Sequence, residues 1–137
     1  MEIINFSADL EASESRRIIA GKIVPFDNEI GNTSVGAVIF EAGSIEIADP
    51  AKVKLLLEHD PKQPIGRMKN VSEDGSGIYA EFKVSNTTKG TDSLIEASEN
   101  LRSGLSVGVE VIKGKNANGV YRVSAARLLE VSLVQAA

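Results

Sequence analysis

Apolar and polar residues alternate in two stretches of the chain, and this period of two constrains the fold more than any other feature of the sequence. In residues 78–84, every even-numbered position is Ile, Ala, Phe or Val, and the odd-numbered positions are Tyr, Glu and Lys. In residues 105–113, valine occupies positions 107, 109 and 111, with serine, glycine and glutamate between the apolar positions. Because side chains of a β-strand point alternately to its two faces, each stretch predicts a strand with one buried face.

Shorter apolar stretches predict further strands, and tight-turn residues separate them. One such stretch, residues 18–24, ends at Pro25, which cannot donate a hydrogen bond to a sheet. A hairpin loop is predicted at 115–119, because Asn118-Gly119 suits the positive φ angles of tight turns. The remaining strands are predicted at 35–40, 44–48, 120–125 and 128–134.

A first helix is predicted after Asp49-Pro50, a pair that is typical of a helix start. Val53, Leu56 and Leu57 follow at helical spacing, which places them on one apolar face.

A second helix is predicted to open at Thr91-Asp92-Ser93 and to end before Gly104. Ser93 and Glu96 fit a capping box, and the predicted apolar stripe consists of Leu94, Ile95, Ser98 and Leu101. Seven strands and two short helices, spaced as hairpins, predict a β-rich mixed α/β fold: an antiparallel β-barrel or sandwich with short flanking helices.

The chain has 137 residues, of which 42% are hydrophobic, so it is long enough for one core. Residues 1–15 are polar and mixed, and they predict an N-terminal arm or an edge strand. Residues 16–137 are predicted to form a single domain. No stretch has the apolar length of a membrane span or the pattern of a secretory signal, so the expected compartment is the cytoplasm.

The composition excludes several classes of function. A net charge of −4 argues against a nucleic-acid binder, which normally carries a basic excess. The chain has no cysteine and one histidine, so thiol catalysis and zinc sites built from Cys or several His are excluded. No phosphate-binding glycine loop and no cluster of carboxylates at ligand spacing occurs, so we expect neither a cofactor nor a metal.

Residues 104–108 read Gly-Leu-Ser-Val-Gly and match the G-x-S-x-G pattern of α/β-hydrolases. That pattern requires a helix directly after the serine, whereas the alternation after Ser106 predicts a strand. The hydrolase order also places the histidine after the serine, and the one histidine here, His59, precedes it. The hydrolase fold is therefore rejected, but a serine between glycines remains a candidate nucleophile.

His59 ends the apolar run 55–57 and precedes Asp60-Pro61, a pair expected to terminate regular structure. This position predicts a half-buried imidazole that is both oriented and accessible. A serine hydroxyl is inert at neutral pH without a base, and His59 is the one side chain here with a neutral-range pKa. The residues alone leave a structural histidine and a serine in a turn as the alternative.

Four motifs occur in an order and spacing that is similar to the prohead (capsid maturation) proteases of HK97-type tailed bacteriophages. That family is related in fold to the herpesvirus assemblins. The similarity runs from about Arg16 to Val134 and implies a herpesvirus-protease-like barrel. The motifs are an opening strand at 17–26, a histidine motif at 57–61 with 64–67, a serine motif at 103–108 and a closing strand at 129–134.

The resemblance implies Ser106 as the nucleophile and His59 as the general base of a serine endopeptidase. Ser103 precedes the motif and is not expected to react. Assemblins use a second histidine as the third triad member, which this chain lacks, so a carboxylate is expected to orient the imidazole. Glu130 is the first choice, because it lies in the closing-strand motif, where the resemblance places the family's acid. Strand alternation also puts it on the face opposite Leu129, Val131 and Leu133. The alternatives are Asp60, Asp92 and Glu110.

The oxyanion of the tetrahedral intermediate is expected to bind main-chain amides near Ser106, namely those of Val107 and Gly108. Arg127 resembles the position from which assemblins supply a supporting arginine, although an ordinary strand-end cation is the alternative account.

The resemblance implies protein substrates: the major capsid protein or its scaffolding segment, and the protease itself. It places the protein inside the assembling procapsid in the bacterial host cytoplasm, leaves room for a homo-oligomer, and gives no role to nucleic acid or membrane. Relatives continue past the closing strand, so cleavage near the small residues Gln135-Ala136-Ala137 is predicted if the native chain continues.

Two other functions remain open. A non-catalytic scaffolding or capsid-assembly module could keep the protease fold, since fold does not fix function. A small-molecule esterase could use the same Ser–His pair, but it would need a deep apolar pocket, and six Phe and Tyr residues with no Trp provide few aromatic walls.

Overall fold

The computed structural model describes residues 2–26, 31–33 and 36–135. Within these ranges most of the chain is extended, with one α-helix and one short 3₁₀ turn. The helix α1 spans Thr88–Ser98 and the 3₁₀ turn spans Pro50–Lys52. The strands are β1 (Glu2–Asp9), β2 (Glu11–Ser13), β3 (Ile18–Pro25), β4 (Gly31–Thr33), β5 (Gly36–Phe40), β6 (Ile45–Glu46), β7 (Lys54–Leu57), β8 (Asp60–Asp74), β9 (Gly77–Val84), β10 (Gly104–Ala117) and β11 (Val120–Val134).

The strands form one sheet that closes almost completely into a barrel. The main path through the sheet is β1-β10-β11-β7-β8-β9-β3-β2. Its two end strands, β1 and β2, are consecutive in the chain and are joined by Leu10 alone. The two ends of the sheet are therefore held next to each other by the covalent chain. The predicted barrel class is therefore confirmed. Nearly complete closure leaves few unpaired edges for non-specific strand pairing.

The alternating stretches bury the predicted faces. Ile78, Ala80 and Phe82 in β9 are completely buried, as are Val107 and Val109 in β10. These residues belong to the single core inside the barrel. The hairpin between β10 and β11 turns at Asn118-Gly119, which have φ angles of 53° and 80°. The prediction of this turn is confirmed, although the strands extend closer to it than expected.

The sheet contains parallel as well as antiparallel pairs. β11 runs antiparallel to β10 but parallel to β5, β6 and β7. The strands predicted at 120–125 and 128–134 form one continuous strand. They were predicted as two because the alternation of apolar and polar residues shifts in the middle of this strand. Along this strand β11 joins β10 on one side to β7 on the other.

The predicted helix after Asp49-Pro50 is wrong beyond its first turn. Asp49 does act as an N-cap, since its side chain accepts a hydrogen bond from the Ala51 amide, but the turn ends at Lys52. β7 follows, with Leu55 completely buried and Leu56 5% exposed. Both faces of this short strand are covered, so its apolar pattern is continuous and imitates helical spacing.

The second helix exists but begins earlier than predicted. Thr87 is the N-cap, with its hydroxyl accepting from the Gly90 amide, so the predicted capping box at Ser93 and Glu96 lies inside the helix. The predicted stripe is also partly wrong, because Ile95 and Leu101 are 39% and 58% exposed. The buried face consists of Gly90, Ser93, Leu94 and Ala97.

The first fifteen residues contribute two strands to the sheet. β1 pairs with β10 along its whole length, and β2 pairs with β3. Of the two alternatives for this segment, an arm or an edge strand, the structure shows paired strands. The division into residues 1–15 and a domain at 16–137 stays a prediction. Val35, Ala136 and Ala137, which entered earlier predictions, lie outside the described residues.

Candidate active site

His59 lies at the tip of a two-residue hairpin turn between β7 and β8. Leu57 and Asp60 pair across this turn, and its two central residues, Glu58 and His59, have φ angles of 51° and 59°. Two positive φ angles in a two-residue loop are the pattern of a type I′ turn. The expectation that Pro61 ends regular structure is wrong, because Pro61 lies in β8, a strand that the sequence analysis missed.

Ser106 projects from β10 on the face opposite the core. Its neighbours Leu105 and Val107 are completely buried in the barrel interior. In the sheet, Ser106 lies directly opposite Ser132 of β11. Ser106 itself is 2% exposed, so its hydroxyl is held at a covered position on the outer face of the sheet.

The fold brings Ser106, His59 and Glu130 into one line of contacts. The distance between His59 Nε2 and Ser106 Oγ is 2.8 Å. The other ring nitrogen, Nδ1, forms a short hydrogen bond with Glu130 Oε1. The side chains of His59 and Glu130 are 27% and 20% exposed, so the imidazole is half-buried as expected. A hydroxyl, an imidazole and a carboxylate in this order match the triad of serine hydrolases.

A β-bulge precedes Glu130 and changes the predicted faces of β11. Gly108 pairs with Glu130, and the next residue of β10, Val109, pairs with Leu128, so Leu129 is the extra residue. Leu129 is 41% exposed, whereas Leu128 is buried. The expectation that Leu129 shares the buried face of the strand is therefore wrong. Glu130 does lie on the outer face, as the alternation predicted.

The glycine at position 108 makes room for the acid. A Cβ atom built on Gly108 would lie 3.1 Å from Glu130 Oε1 and 3.3 Å from its Cδ. In the structure, the space above Gly108 holds the Glu130 carboxylate.

Ser132 is a residue of the site to which the sequence analysis gave no role. Its hydroxyl accepts a hydrogen bond from the His59 backbone amide, at 2.9 Å. The same oxygen lies 3.2 Å from Glu130 Oε2, to which it can donate. The available signal was its position two residues after Glu130 on the same strand, which places the two side chains on one face.

Two of the three alternative carboxylates for the third position, Asp60 and Glu110, have other partners. The Asp60 carboxylate accepts from the Gln63 side chain and from the Lys62 amide, and these bonds, the first most strongly, lower the pKa of Asp60. Glu110 accepts from Arg127 at 3.2 Å. Asp92 lies in α1. Among the described residues, Glu130 is the carboxylate whose hydrogen bond with the imidazole is observed.

The predicted oxyanion groups are less favourably placed. β10 is paired on both sides from residue 104 to 111, by β1 and β11. Strand amides lie in the plane of the sheet, so those of Val107 and Gly108 point toward neighbouring strands and not toward the outer face. The Arg127 guanidinium contacts two carboxylates, Glu110 at 3.2 Å and Glu46 at 3.8 Å. Their oxyanion role stays a prediction that this placement does not favour.

The electrostatic environment of His59 favours its protonated form. The hydrogen bond with Glu130 raises the pKa of the imidazole above its ordinary value. Partial burial acts in the opposite direction, and the negative charges of Glu130 and Glu58 raise the pKa further. An imidazole of this kind is a stronger proton acceptor than a free histidine, which suits a general base.

An ion-pair network supports the His59 turn from its other side. Arg102 donates to Glu58 Oε1 at 2.5 Å and to Glu96 Oε1 at 3.4 Å. Glu58 is the first residue of the turn and Glu96 belongs to α1, so Arg102 connects the turn to the helix.

Two surface grooves are lined in part by residues next to the His59 turn. One, of about 370 Å³, is lined by Lys52, Lys54, Leu56, Pro61, Leu129 and Glu130. The other, of about 460 Å³, lies between the barrel and α1 and is lined by Leu57, Thr88, Lys89, Asp92, Ser93 and Glu96.

Neither a metal site nor a membrane span is found in the described part of the chain. Among these residues, no three His, Asp or Glu side chains converge as ligands for a metal. None of the described helical segments has the length and apolar character needed to cross a bilayer.

Comparison with known proteins adds two findings. A family model described as caudovirus prohead serine protease matches residues 5–137. Among solved structures, the bacteriophage T4 capsid assembly protease, gp21, is similar in fold, with a TM-score of 0.60. The match covers 96% of this chain and 97% of that one, at 9% sequence identity. A search of curated protein sequences finds no match.

Proposed function

The chain belongs to the caudovirus prohead serine protease family, and on this premise we propose that it is a serine endopeptidase that matures phage proheads. In this proposal Ser106 is the nucleophile, His59 the general base and Glu130 the third triad member. The observation that carries it is the continuous path of hydrogen bonds from Ser106 Oγ through the imidazole to Glu130.

The reaction is an acyl transfer. His59 Nε2 takes the proton of Ser106 as Oγ attacks the carbonyl carbon of the scissile peptide bond. The imidazolium then gives this proton to the leaving amine, and an acyl-enzyme forms. In the second half, a water molecule loses a proton to Nε2 and attacks the ester. The acyl group leaves as a carboxylic acid, and Ser106 regains its proton.

Glu130 fixes the tautomer that this reaction needs. Nε2 can accept a proton when the neutral ring carries its hydrogen on Nδ1. The carboxylate beside Nδ1 accepts that hydrogen, so it holds the ring in this form and orientation. It also stabilises the imidazolium that develops during the attack, as the raised pKa of His59 reflects.

Protein segments are the proposed substrates. We infer that these are the major capsid protein or its scaffolding segment, together with the protease itself, inside the procapsid in the bacterial host cytoplasm. The family description and the T4 capsid assembly protease fold support this inference. Open surface grooves lined by residues next to the His59 turn suit an extended polypeptide better than a small ester, which binds best in an enclosed apolar pocket.

The test compares wild type with Ser106→Ala, each expressed with its capsid or scaffold protein, and follows the products by mass spectrometry. Wild type should produce cleaved peptides that Ser106→Ala does not, and a fluorophosphonate should label Ser106. Ser103→Ala is the matched control, because Ser103 lies three residues away and its hydroxyl contacts the Gln135 carbonyl instead. Identical peptides from wild type and Ser106→Ala would overturn the proposal in favour of a non-catalytic assembly module.

A further inference from the structure

We propose that Ser132 is a positioning residue of this site, and that its hydroxyl holds the general base and the acid in one fixed geometry. The inference rests on the proposed function, because it assigns Ser132 to the same triad. It does not make Ser132 a catalytic residue, since the contacts of its hydroxyl are with His59 and Glu130 and not with the nucleophile's hydroxyl.

Ser132 occupies the centre of the site. It lies in β11 between Ser106 of β10 on one side and Leu56 of β7 on the other. The turn that carries His59 begins where β7 ends, and it curls over β11 to bring the imidazole to Ser106. Ser132 therefore lies beneath the segment that must be held in place, and it is completely buried there.

The hydrogen-bonding capacity of Ser132 is directional. A backbone amide can only donate, so the Ser132 oxygen must accept from the His59 amide. A hydroxyl has one proton of its own, and the Glu130 carboxylate is an acceptor within reach of it. The accepting and the donating capacity of the hydroxyl are thus used by His59 and Glu130. A buried hydroxyl requires such partners, and here both partners belong to the triad.

The His59 turn needs an anchor because its backbone is strained. Glu58 and His59 both have positive φ angles, which residues with a Cβ atom adopt at a cost in conformational energy. Two backbone amides of this turn donate to β11: the Glu58 amide to the Leu133 carbonyl at 3.0 Å, and the His59 amide to the Ser132 hydroxyl. The acceptor of the second bond is a side chain, so a substitution of Ser132 can remove this bond without altering the backbone hydrogen bonds of the sheet.

Glu130 also needs an anchor, because a glutamate has more rotatable bonds than an aspartate. Fixing such a side chain costs conformational entropy, which the contacts of the carboxylate must offset. Oε1 contacts His59 and Oε2 contacts Ser132, with Gly108 leaving room beneath the carboxylate. Removal of the hydroxyl would release one oxygen and allow the carboxylate to rotate away from Nδ1.

The experiment compares Ser132→Ala and Ser132→Thr with wild type, and Ser124→Ala serves as the matched control on the same strand. Ser124 is exposed, and its hydroxyl donates to the Lys113 carbonyl away from the site. For Ser132→Ala we expect kcat to fall at least tenfold at equal folded fraction, with KM changed less than threefold. Ser132→Thr keeps the hydroxyl and should stay within about threefold of wild type, and Ser124→Ala should match wild type.

A second measurement is independent of turnover. His59 is the only histidine, so NMR can follow its imidazole directly. In Ser132→Ala the pKa of His59 should move down toward the ordinary histidine value, because the bond with Glu130 is what chiefly raises it. If Ser132→Ala does not fold, Ser132→Cys replaces it, since a thiol has similar volume and donates poorly.

The outcomes separate the two proposals. If wild type shows no Ser106-dependent cleavage, the proposed function fails, and the NMR titration still tests the role of Ser132. If Ser132→Ala keeps kcat within twofold of wild type and the titration curve of His59 does not move, Ser132 is an ordinary buried serine and the inference is overturned.

Discussion

Gly108 and Glu130 are cross-strand partners, and the carboxylate of Glu130 occupies the space that a side chain at position 108 would need. The second glycine of the Gly-Leu-Ser-Val-Gly motif therefore belongs to the environment of the acid. This relationship connects the serine motif to the closing strand. The serine motif in β10 supplies the glycine that leaves space, and the closing strand β11 supplies the Glu130 carboxylate that fills it.

Gly108→Ala should reduce activity much more than stability. The added Cβ would lie 3.1 Å from Oε1, which is the free end of a flexible side chain, so Glu130 can move by a few tenths of an ångström. We expect the free energy of unfolding to change by less than about 1 kcal/mol. Because small misplacement of catalytic groups is costly, kcat should fall by about tenfold or more. Cleavage assays and denaturant titrations measure both quantities.

Gly75→Ala is the matched control for this substitution. A Cβ atom at Gly75 would meet nothing within 4 Å, and the residue lies in the turn between β8 and β9. Its activity should equal that of wild type. Full activity of Gly108→Ala would show that the position of the Glu130 carboxylate does not limit turnover.

Glu130→Gln should lower kcat by about 10²–10⁴-fold while the fold is retained. The amide cannot stabilise an imidazolium as a carboxylate does, and it can hold the ring in the wrong tautomer. The pKa of His59 should fall at the same time, because its bond with Glu130 is the main cause of the rise. Glu110→Gln is the comparison, because Glu110 is on the neighbouring strand and pairs with Arg127. Equal losses in the two variants would contradict the assignment of the acid.

The pH dependence of cleavage should report the raised pKa of His59. The base must be neutral to accept the serine proton, so kcat/KM should rise with pH and reach half its maximum above the pKa of an ordinary histidine. In Glu130→Gln the midpoint should shift to lower pH. A wild-type midpoint at or below the ordinary histidine value would show that the Glu130 contact does not persist in solution.

Stability should change with pH in the opposite direction. The pKa of His59 is raised in the folded protein by the Glu130 bond, so the folded state keeps its proton to higher pH than the unfolded chain. The stabilisation is fully present below the unfolded pKa and is lost as pH rises through the folded pKa. The free energy of unfolding, measured by denaturant titration, should decrease across that window. His59→Gln should lack this decrease, and a wild-type curve parallel to that of His59→Gln would contradict the prediction.

Gly119→Ala should do the reverse of Gly108→Ala, because it affects the fold at a distance from the site. Gly119 has a φ angle of 80° in the β10–β11 turn, and no neighbour lies within 4 Å of a Cβ atom built there. The cost is therefore backbone strain alone, about 1–2 kcal/mol in the free energy of unfolding. At temperatures where the variant stays folded, its kcat should equal that of wild type. A large loss of kcat would indicate that the hairpin end communicates with the triad.

The barrel-facing sides of β9 and β10 and the Asn118-Gly119 turn could be predicted because their signals are local. Period-two alternation in β9 and β10 records which side chains enter the barrel, and Asn-Gly adopts positive φ at low cost. The β7 segment could not be read in the same way. It is covered on both faces, so its apolar residues carry no period that separates a strand from a helix.

The site shows a similar division. Ser106, His59 and Glu130 could be named from motifs, but their contacts depend on pairing between distant strands. The type I′ turn at Glu58-His59 contains neither glycine nor asparagine, the residues from which such a turn is usually predicted. The bulge at Leu129 interrupts an alternation of apolar and polar residues that otherwise looks regular. Ser132 was overlooked because a buried serine in a strand has no signature until its partners are known.

The position of β11 has a consequence for the time at which the protease first becomes active. This strand is the last of the described strands in chain order, yet it lies between β10 and β7 and supplies both Glu130 and the anchor of the His59 turn. A nascent polypeptide that has left the ribosome only as far as β10 carries Ser106 and His59 without the strand that supplies Glu130 and Ser132. In the proposed mechanism, the chain can therefore cleave peptides only after β11 has been translated and has paired with β10 and β7.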